Sequence, residues 1–193
     1  MSFSFILRRT ILFLWHFIII LYSYVQLFIQ QIRILFSNRI DLQKRVNNLV
    51  KFPENIAIVI DNYSQHSDHN IIKTVDFISQ IPQINYLAVF FNQETAPLSF
   101  SSKKVQVLTA KENNDVFLSV MESSKPLSDC CLPFPKPLEL AIIFSKYPKL
   151  CNFFTWNLDL TTLYFAGPSI DISPVAILDA LNDYAKTEQR CGK

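Results

Sequence analysis

Pro53-Glu54-Asn55-Ile56-Ala57-Ile58-Val59-Ile60-Asp61-Asn62 is the stretch from which the fold is read. Its centre, Ile56 to Ile60, is a continuous apolar run with no alternation, the pattern of a strand covered on both faces. Strands of that kind belong to parallel sheets flanked by helices. Asp61 and Asn62 then stand at the carboxyl end of the strand, where open α/β sheets bind their ligands. A turn-forming Asp-Asn pair is the alternative reading of the same two residues.

Working outward, Tyr86 to Phe91 reads as a second buried strand and Val105 to Thr109 as a short third. Leu138 to Phe144 is another buried run, and Leu160 to Phe165, rich in Thr, Leu and aromatics, is a last strand. Helices fall between them. Asn38 to Val50 carries Leu42, Val46, Leu49 and Val50 on one face and stops at Phe52-Pro53. Asn70 to Gln80 is a helix through Ile71, Ile72, Val75 and Ile78, and Asn114 to Glu122 is another. Gly167-Pro168 breaks the chain; Ser173-Pro174 then opens a helix to Lys186 with a cap residue and Pro at the first position. Glu122 to Pro137 is a loop containing Pro, Ser and Cys. Alternating strands and helices predict an α/β fold, a mostly parallel sheet with helices on both faces.

Before this domain, Thr10 to Ile32 contains no Asp, Glu, Lys or Arg. As a helix rising about 1.5 Å per residue it would be roughly 35 Å long, enough to cross a bilayer core with some tilt. Arg8-Arg9 precede it, and Arg33, Arg39, Lys44 and Arg45 follow, so the positive-inside rule puts the C-terminal domain in the cytosol. His16, Gln26, Gln30 and Gln31 dilute the stretch, and a helix lying in the interface is the alternative.

Composition excludes several classes. Lys+Arg 18 against Asp+Glu 16 gives a net charge of only +2, with no nucleic-acid footprint. The chain has only two glycines, Gly167 and Gly192, so neither a Walker loop nor a dinucleotide fingerprint can be built. Cys130, Cys131, Cys151 and Cys191 lack zinc spacing and read as reduced thiols. His66-Ser67-Asp68-His69 is a short polar loop without further metal ligands. Asn62-Tyr63-Ser64 matches the glycosylation sequon, which a cytosol-facing strand end never presents to the glycosylation machinery. No nucleophile–base pair and no paired carboxylates stand out, so spacing alone points to no active site.

The tail Glu188-Gln189-Arg190-Cys191-Gly192-Lys193 follows directly on the last helix. Arg190 offers a planar fork of donors that matches phosphate oxygens, and Gly192 lets backbone N–H groups approach an anion closely. A helix simply stopping at a glycine is the other reading.

Two blocks carry a resemblance. Ser145, then Lys149-Leu150-Cys151-Asn152-Phe153-Phe154-Thr155-Trp156-Asn157, then Tyr164-Phe165, is similar to a cis-prenyltransferase segment. In that family an Arg-x-Ser strand end leads to Arg-Leu-Ser-Asn-Phe-Leu-Leu-Trp-Gln and a Glu before paired aromatics. Pro53 to Asn62 resembles the family's Pro-x-His-Val-Ala-Phe-Ile-Met-Asp-Gly-Asn, and the order of the blocks is preserved over most of Pro53 to Lys193. The resemblance implies a trimmed cis-prenyltransferase-like domain over residues 53–193, after a tail (1–9), a transmembrane anchor (10–32) and a basic amphipathic linker helix (33–52).

The departures from the family pattern imply a lost site. Asp61-Asn62 lacks the intervening Gly and a following Arg. The first Arg that grips isopentenyl diphosphate falls at Ile143, the second at Lys149, the diphosphate-binding Ser at Cys151 and the magnesium-associated Glu at Thr162. With its N-terminal anchor and Arg-x-Gly tail, the chain resembles the Nogo-B receptor family, the non-catalytic subunits of dehydrodolichyl diphosphate synthase. The resemblance implies that Arg190, Cys191 and Gly192 reach into the site of a catalytic cis-prenyltransferase partner and hold isopentenyl diphosphate there. It also implies that Mg2+ is held mainly by that partner and that the complex sits at the endoplasmic reticulum membrane. The short connection between the first two strands implies that the isoprenoid tunnel belongs to the partner too. A membrane receptor or scaffold with the same fold is the rival expectation. A self-sufficient homodimeric synthase is disfavoured by Ile143 and Thr162.

Overall fold

The structure is a computed structural model that describes residues 25, 39–122, 137–153 and 161–187. Residues 1–41 and 42–193 are two compact units. The proposed anchor, residues 10–32, lies outside the described residues except for Val25, and so does the Arg190-Cys191-Gly192 tail. No helix among the described residues is long and apolar enough to cross a membrane.

The described elements are helix α1 (Arg39–Asn47), strand β1 (Asn55–Ile60), helix α2 (Asp68–Ser79) and strands β2 (Tyr86–Phe91) and β3 (Val105–Thr109). Helix α3 (Ala110–Glu122), strands β4 (Leu140–Phe144) and β5 (Thr162–Gly167) and helix α4 (Pro174–Lys186) follow. Short 3-10 turns at Gln65–Ser67 and Ser169–Asp171 lead into α2 and α4. The strands form one five-stranded sheet in the order β3-β2-β1-β4-β5, and every pairing is parallel.

The alternation hidden in the apolar runs appears as two differently sized faces. Ile56, Ile58 and Ile60, with Leu87, Val89, Phe91, Leu140, Ile142 and Phe144, form one face with side chains of α1, α2 and α4 packed on it. Ala57, Ala88 and Ala141 lie in register on the other face, beside Val59, Phe90 and Ile143. Leu108, Leu138, Cys151 and Phe153 complete the second core, with Ala110 at the start of α3 packed against it. All of β1 is buried. Each large aliphatic side chain removed from water there contributes about 1.5–3 kcal/mol before the entropy of ordering it is counted.

Local signals explain most boundaries. Ser173 Oγ accepts from Ala176 N–H at 3.3 Å and Pro174 opens α4, as expected of a cap followed by Pro. Helix α3 begins at Ala110, not at Asn114, because Thr109-Ala110-Lys111-Glu112 is a capping box. Glu112 Oε2 accepts from Thr109 N–H at 2.8 Å, and Glu112 N–H donates to Thr109 Oγ1 at 3.2 Å. Helix α1 ends at Asn47, so Val50 falls beyond it and is 98% exposed instead of sharing the face of Leu42 and Val46. Helix α2 starts at Asp68 and turns Ile72 outward, 42% exposed, while Thr74 and Phe77 are buried with Ile71, Val75 and Ile78. The last two strands begin later than the apolar runs suggest, at Leu140 and Thr162.

At the end of β5, Gly167 has φ +95, a conformation that L side chains rarely adopt, which accounts for one of the two glycines. An added Cβ there would stand 3.5 Å from Asp171 Oδ2. That oxygen is buried without a hydrogen-bond partner among the described residues, and burial pushes the Asp171 pKa above 3.8. For a carboxyl raised by folding, the stabilisation is full below the unfolded value and is lost as pH rises through the folded one. Asp171→Asn is therefore expected to raise the melting temperature near neutral pH and to leave it little changed below the ordinary 3.8. Equal or lower melting at neutral pH would refute this account.

Candidate functional site

In this strand order the chain leaves β1 toward β2 and β3 on one side, whereas β4 and β5 lie on the other. The carboxyl ends of β1 and β4 are therefore the switch point of the sheet, where α/β proteins of this kind form a ligand crevice. Three polar residues stand there, each directly after its strand: Asp61 after β1, Asn92 after β2 and Ser145 after β4. Backbone bonds extend the ladder one step to hold them, from Asp61 N–H to Phe144 O at 3.1 Å and from Asn92 N–H to Ile60 O at 2.9 Å.

Asp61 is the centre of the cluster and is only 4% exposed. Its Oδ1 accepts from Asn92 Nδ2 at 2.8 Å. Its Oδ2 accepts from Ser145 Oγ at 3.1 Å and meets Lys149 Nζ at 2.8 Å. Burial alone would raise the Asp61 pKa, but hydrogen bonds from Lys149, Asn92 and Ser145, and the charge of Lys149, outweigh it and hold the carboxyl below its usual value. The Lys149 ammonium is correspondingly pushed up by its bond to Asp61.

Lys149 is delivered by the segment after β4. There Cys151 and Asn152 adopt left-handed backbone conformations, φ 55 and 59, which cost non-glycine residues energy and persist only where surroundings impose them. The surroundings are visible. Phe153 is buried and its ring lies 5.3 Å from that of Phe90. Asn152 Nδ2 donates to Asn92 Oδ1 at 3.2 Å, and Asn152 O accepts from Asn113 Nδ2 of α3 at 2.8 Å. Burial pushes the Cys151 thiol up, so it stays protonated and is a poor nucleophile.

Asp61, Lys149 and Cys151 thus come together at the carboxyl ends of β1 and β4, but the set balances its own charge. The carboxylate is neutralised by Lys149 and three of its acceptor sites are taken, so Asp61, Lys149, Ser145 and Asn92 together present no net positive charge to a diphosphate. Ile143, the last residue but one of β4, is fully buried between Val59 and Phe165 in the register and brings no charge to the strand ends. Thr162 starts β5 opposite Leu140, at the other end of the sheet from Asp61. Asn62 is exposed, and its carbonyl accepts from Ser169 Oγ. Tyr63 turns away to donate to Asp68, which, with burial, pushes its pKa to about 12. His66 and His69 are both exposed, and among the described residues no group of three or more His, Cys, Asp or Glu could hold a metal.

Spacing alone does not single out Asn92, Asn113 or Asn152. A usable signal for Asn92 is a polar residue directly after a buried apolar run; Asn152 falls within the block that carries the resemblance, and Asn113 has no signal, since only the fold joins it to the others. No protein-family model and no curated protein matches the chain.

Proposed function

We propose that this chain is the non-catalytic, activating subunit of a heteromeric cis-prenyltransferase. The complex adds isopentenyl diphosphate to farnesyl diphosphate to make the polyprenyl diphosphate precursor of dolichol for protein glycosylation. The observation that carries the reading is the self-satisfied Asp61. Where a competent site needs an open carboxylate and a positive clamp, this chain ties Asp61 to Lys149, Ser145 and Asn92. The Arg190-Cys191-Gly192 tail then holds isopentenyl diphosphate in the partner's site, and Mg2+ is held mainly by that partner. Residues 10–32 anchor the subunit in the endoplasmic reticulum membrane with its C-terminal domain facing the cytosol. A partner surface is consistent with Leu163 and Phe165 of the edge strand β5, which are 37% and 44% exposed and stand in register with Ala141 and Ile143 of the second core.

The purified chain alone is expected to give no polyprenyl product, and co-expression with a catalytic homologue to give magnesium-dependent synthesis. The chain truncated before Glu188 should fail to complement a strain lacking its own non-catalytic subunit. Full rescue by the truncated chain would favour the rival reading, a membrane-anchored receptor or scaffold with no role in prenyl transfer.

A further inference from the structure

A second concavity lies away from the switch point. It is a groove of about 220 Å3 lined by Arg45, Asn48, Leu49, Leu178 and Asn182, at the end of α1 and along α4. The lining combines one guanidinium and two carboxamides with two leucines, of which Leu178 is buried and Leu49 partly so. Arg45 Nη2 lies 3.3 Å from Asp179 Oδ1, and the Arg45 side chain is 51% exposed. One contact of that kind commits only one of the five N–H donors of a guanidinium. Val50, next after Leu49, is 98% exposed, the most solvent-facing large apolar side chain among the described residues.

Basic residues exceed acidic ones along α1 and its exit, whereas α4 brings Asp179 and Asp183 beside the groove. Lys44 and Arg45 occupy the last turn of α1. Lys51 follows, with Nζ 4.8 Å from the centre of the Tyr184 ring of α4. In sequence this segment comes shortly after the apolar stretch 10–32, and Arg33 and Arg39 stand between the two. Basic residues close to a membrane-inserted segment are drawn to anionic lipid.

We propose that the groove binds the phosphate of an anionic phospholipid headgroup at the membrane surface. The Arg45 guanidinium receives the phosphodiester oxygens, for which its planar fork is suited. The Asn48 and Asn182 carboxamides donate to the remaining headgroup oxygens. Leu49 and Val50 meet the boundary between glycerol and acyl chains, where an exposed aliphatic side chain is sheltered from water. Asp179 competes with the lipid for Arg45 and sets how readily the guanidinium is released. The site rests on the reading of residues 10–32 as a membrane anchor, and uses neither the switch point nor the tail.

The test uses the full chain reconstituted in nanodiscs of phosphatidylcholine alone or of phosphatidylcholine with phosphatidylserine, read by amide hydrogen exchange over residues 42–51 and 174–186. Phosphatidylserine is expected to slow exchange there about fivefold, the effect of one basic residue engaging an anionic surface. Arg45→Gln should abolish the slowing. Asp179→Asn, which breaks the same ion pair but frees the guanidinium, should keep or enlarge it. A pair that is merely structural makes the two variants behave alike, and that result overturns the proposal, as does equal exchange in both lipid compositions. Asp179→Asn carries the test even where Arg45→Gln loosens α1. Inorganic phosphate added to the phosphatidylcholine nanodiscs should give no protection; protection by phosphate alone would assign the groove to a soluble anion and overturn the lipid assignment.

Discussion

Asp61→Ala is expected to lower the unfolding free energy by about 2–4 kcal/mol, the cost of stripping a buried acceptor from hydrogen-bonded and charged donors. Ser145 Oγ and Asn92 Nδ2 lose their acceptor, and the ammonium of Lys149 loses its counter-ion. Because the segment carrying Lys149 contains Cys151 and Asn152 in left-handed conformations, releasing it also removes part of what holds that backbone in place. For a chain of this size the loss corresponds to a fall in melting temperature of roughly 4–16 °C. Urea unfolding of the detergent-purified chain, followed by circular dichroism, measures it. Asp61→Asn keeps the shape and one acceptor, so its cost should be smaller. The pH dependence has a fixed sign: the folded pKa of Asp61 lies below 3.8, so its stabilisation is full above 3.8 and is lost as the pH falls through the lower, folded value. Asp61→Ala should flatten the acid limb accordingly. The opposite result, a gain in stability, would mark a carboxylate kept under strain for a ligand, and would remove the main support for an internally satisfied site.

Much of the sheet was legible because strands buried on both faces leave uninterrupted apolar runs. Tyr86–Phe91 and Val105–Thr109 have the bounds that their runs suggest. Such runs conceal which side chains share a face, so the row Ala57, Ala88 and Ala141 emerges only with the register. Sheet order was equally hidden. Placing β4 beside β1 turns Asp61, otherwise a plausible turn residue, into the centre of a charged cluster with Ser145 and Lys149, which are more than eighty positions away. The start of α3 was legible in principle from Thr109 and Glu112. The left-handed pair Cys151-Asn152 was not, because neither residue is a glycine and the conformation is imposed by Phe153, Asn92 and Asn113 acting together.

Arg190→Ala is expected to lower the turnover of the reconstituted heteromer by about 100-fold, the scale on which one preorganised donor to a developing negative charge contributes. This prediction rests on the proposed function, and its physical basis is a division of labour. At the switch point Asp61 and Lys149 are spent on each other, so neither is offered to a diphosphate. On the proposed function the cationic contribution of this subunit comes from Arg190. Arg190 supplies a planar fork for paired phosphate oxygens, and Gly192 lets the backbone approach without a Cβ in the way. Arg190→Lys retains the charge but not the fork, and should recover only part of the loss. Gly192→Ala should lower turnover with the charge intact, because it acts on approach alone. Assembly must be measured beside activity: the wild type and each variant should co-purify with the partner in equal amounts, so that the loss belongs to the site and not to the interface. Turnover that survives both Arg190→Ala and Gly192→Ala in an intact complex would sink the tail's assigned role while leaving the account of Asp61 untouched.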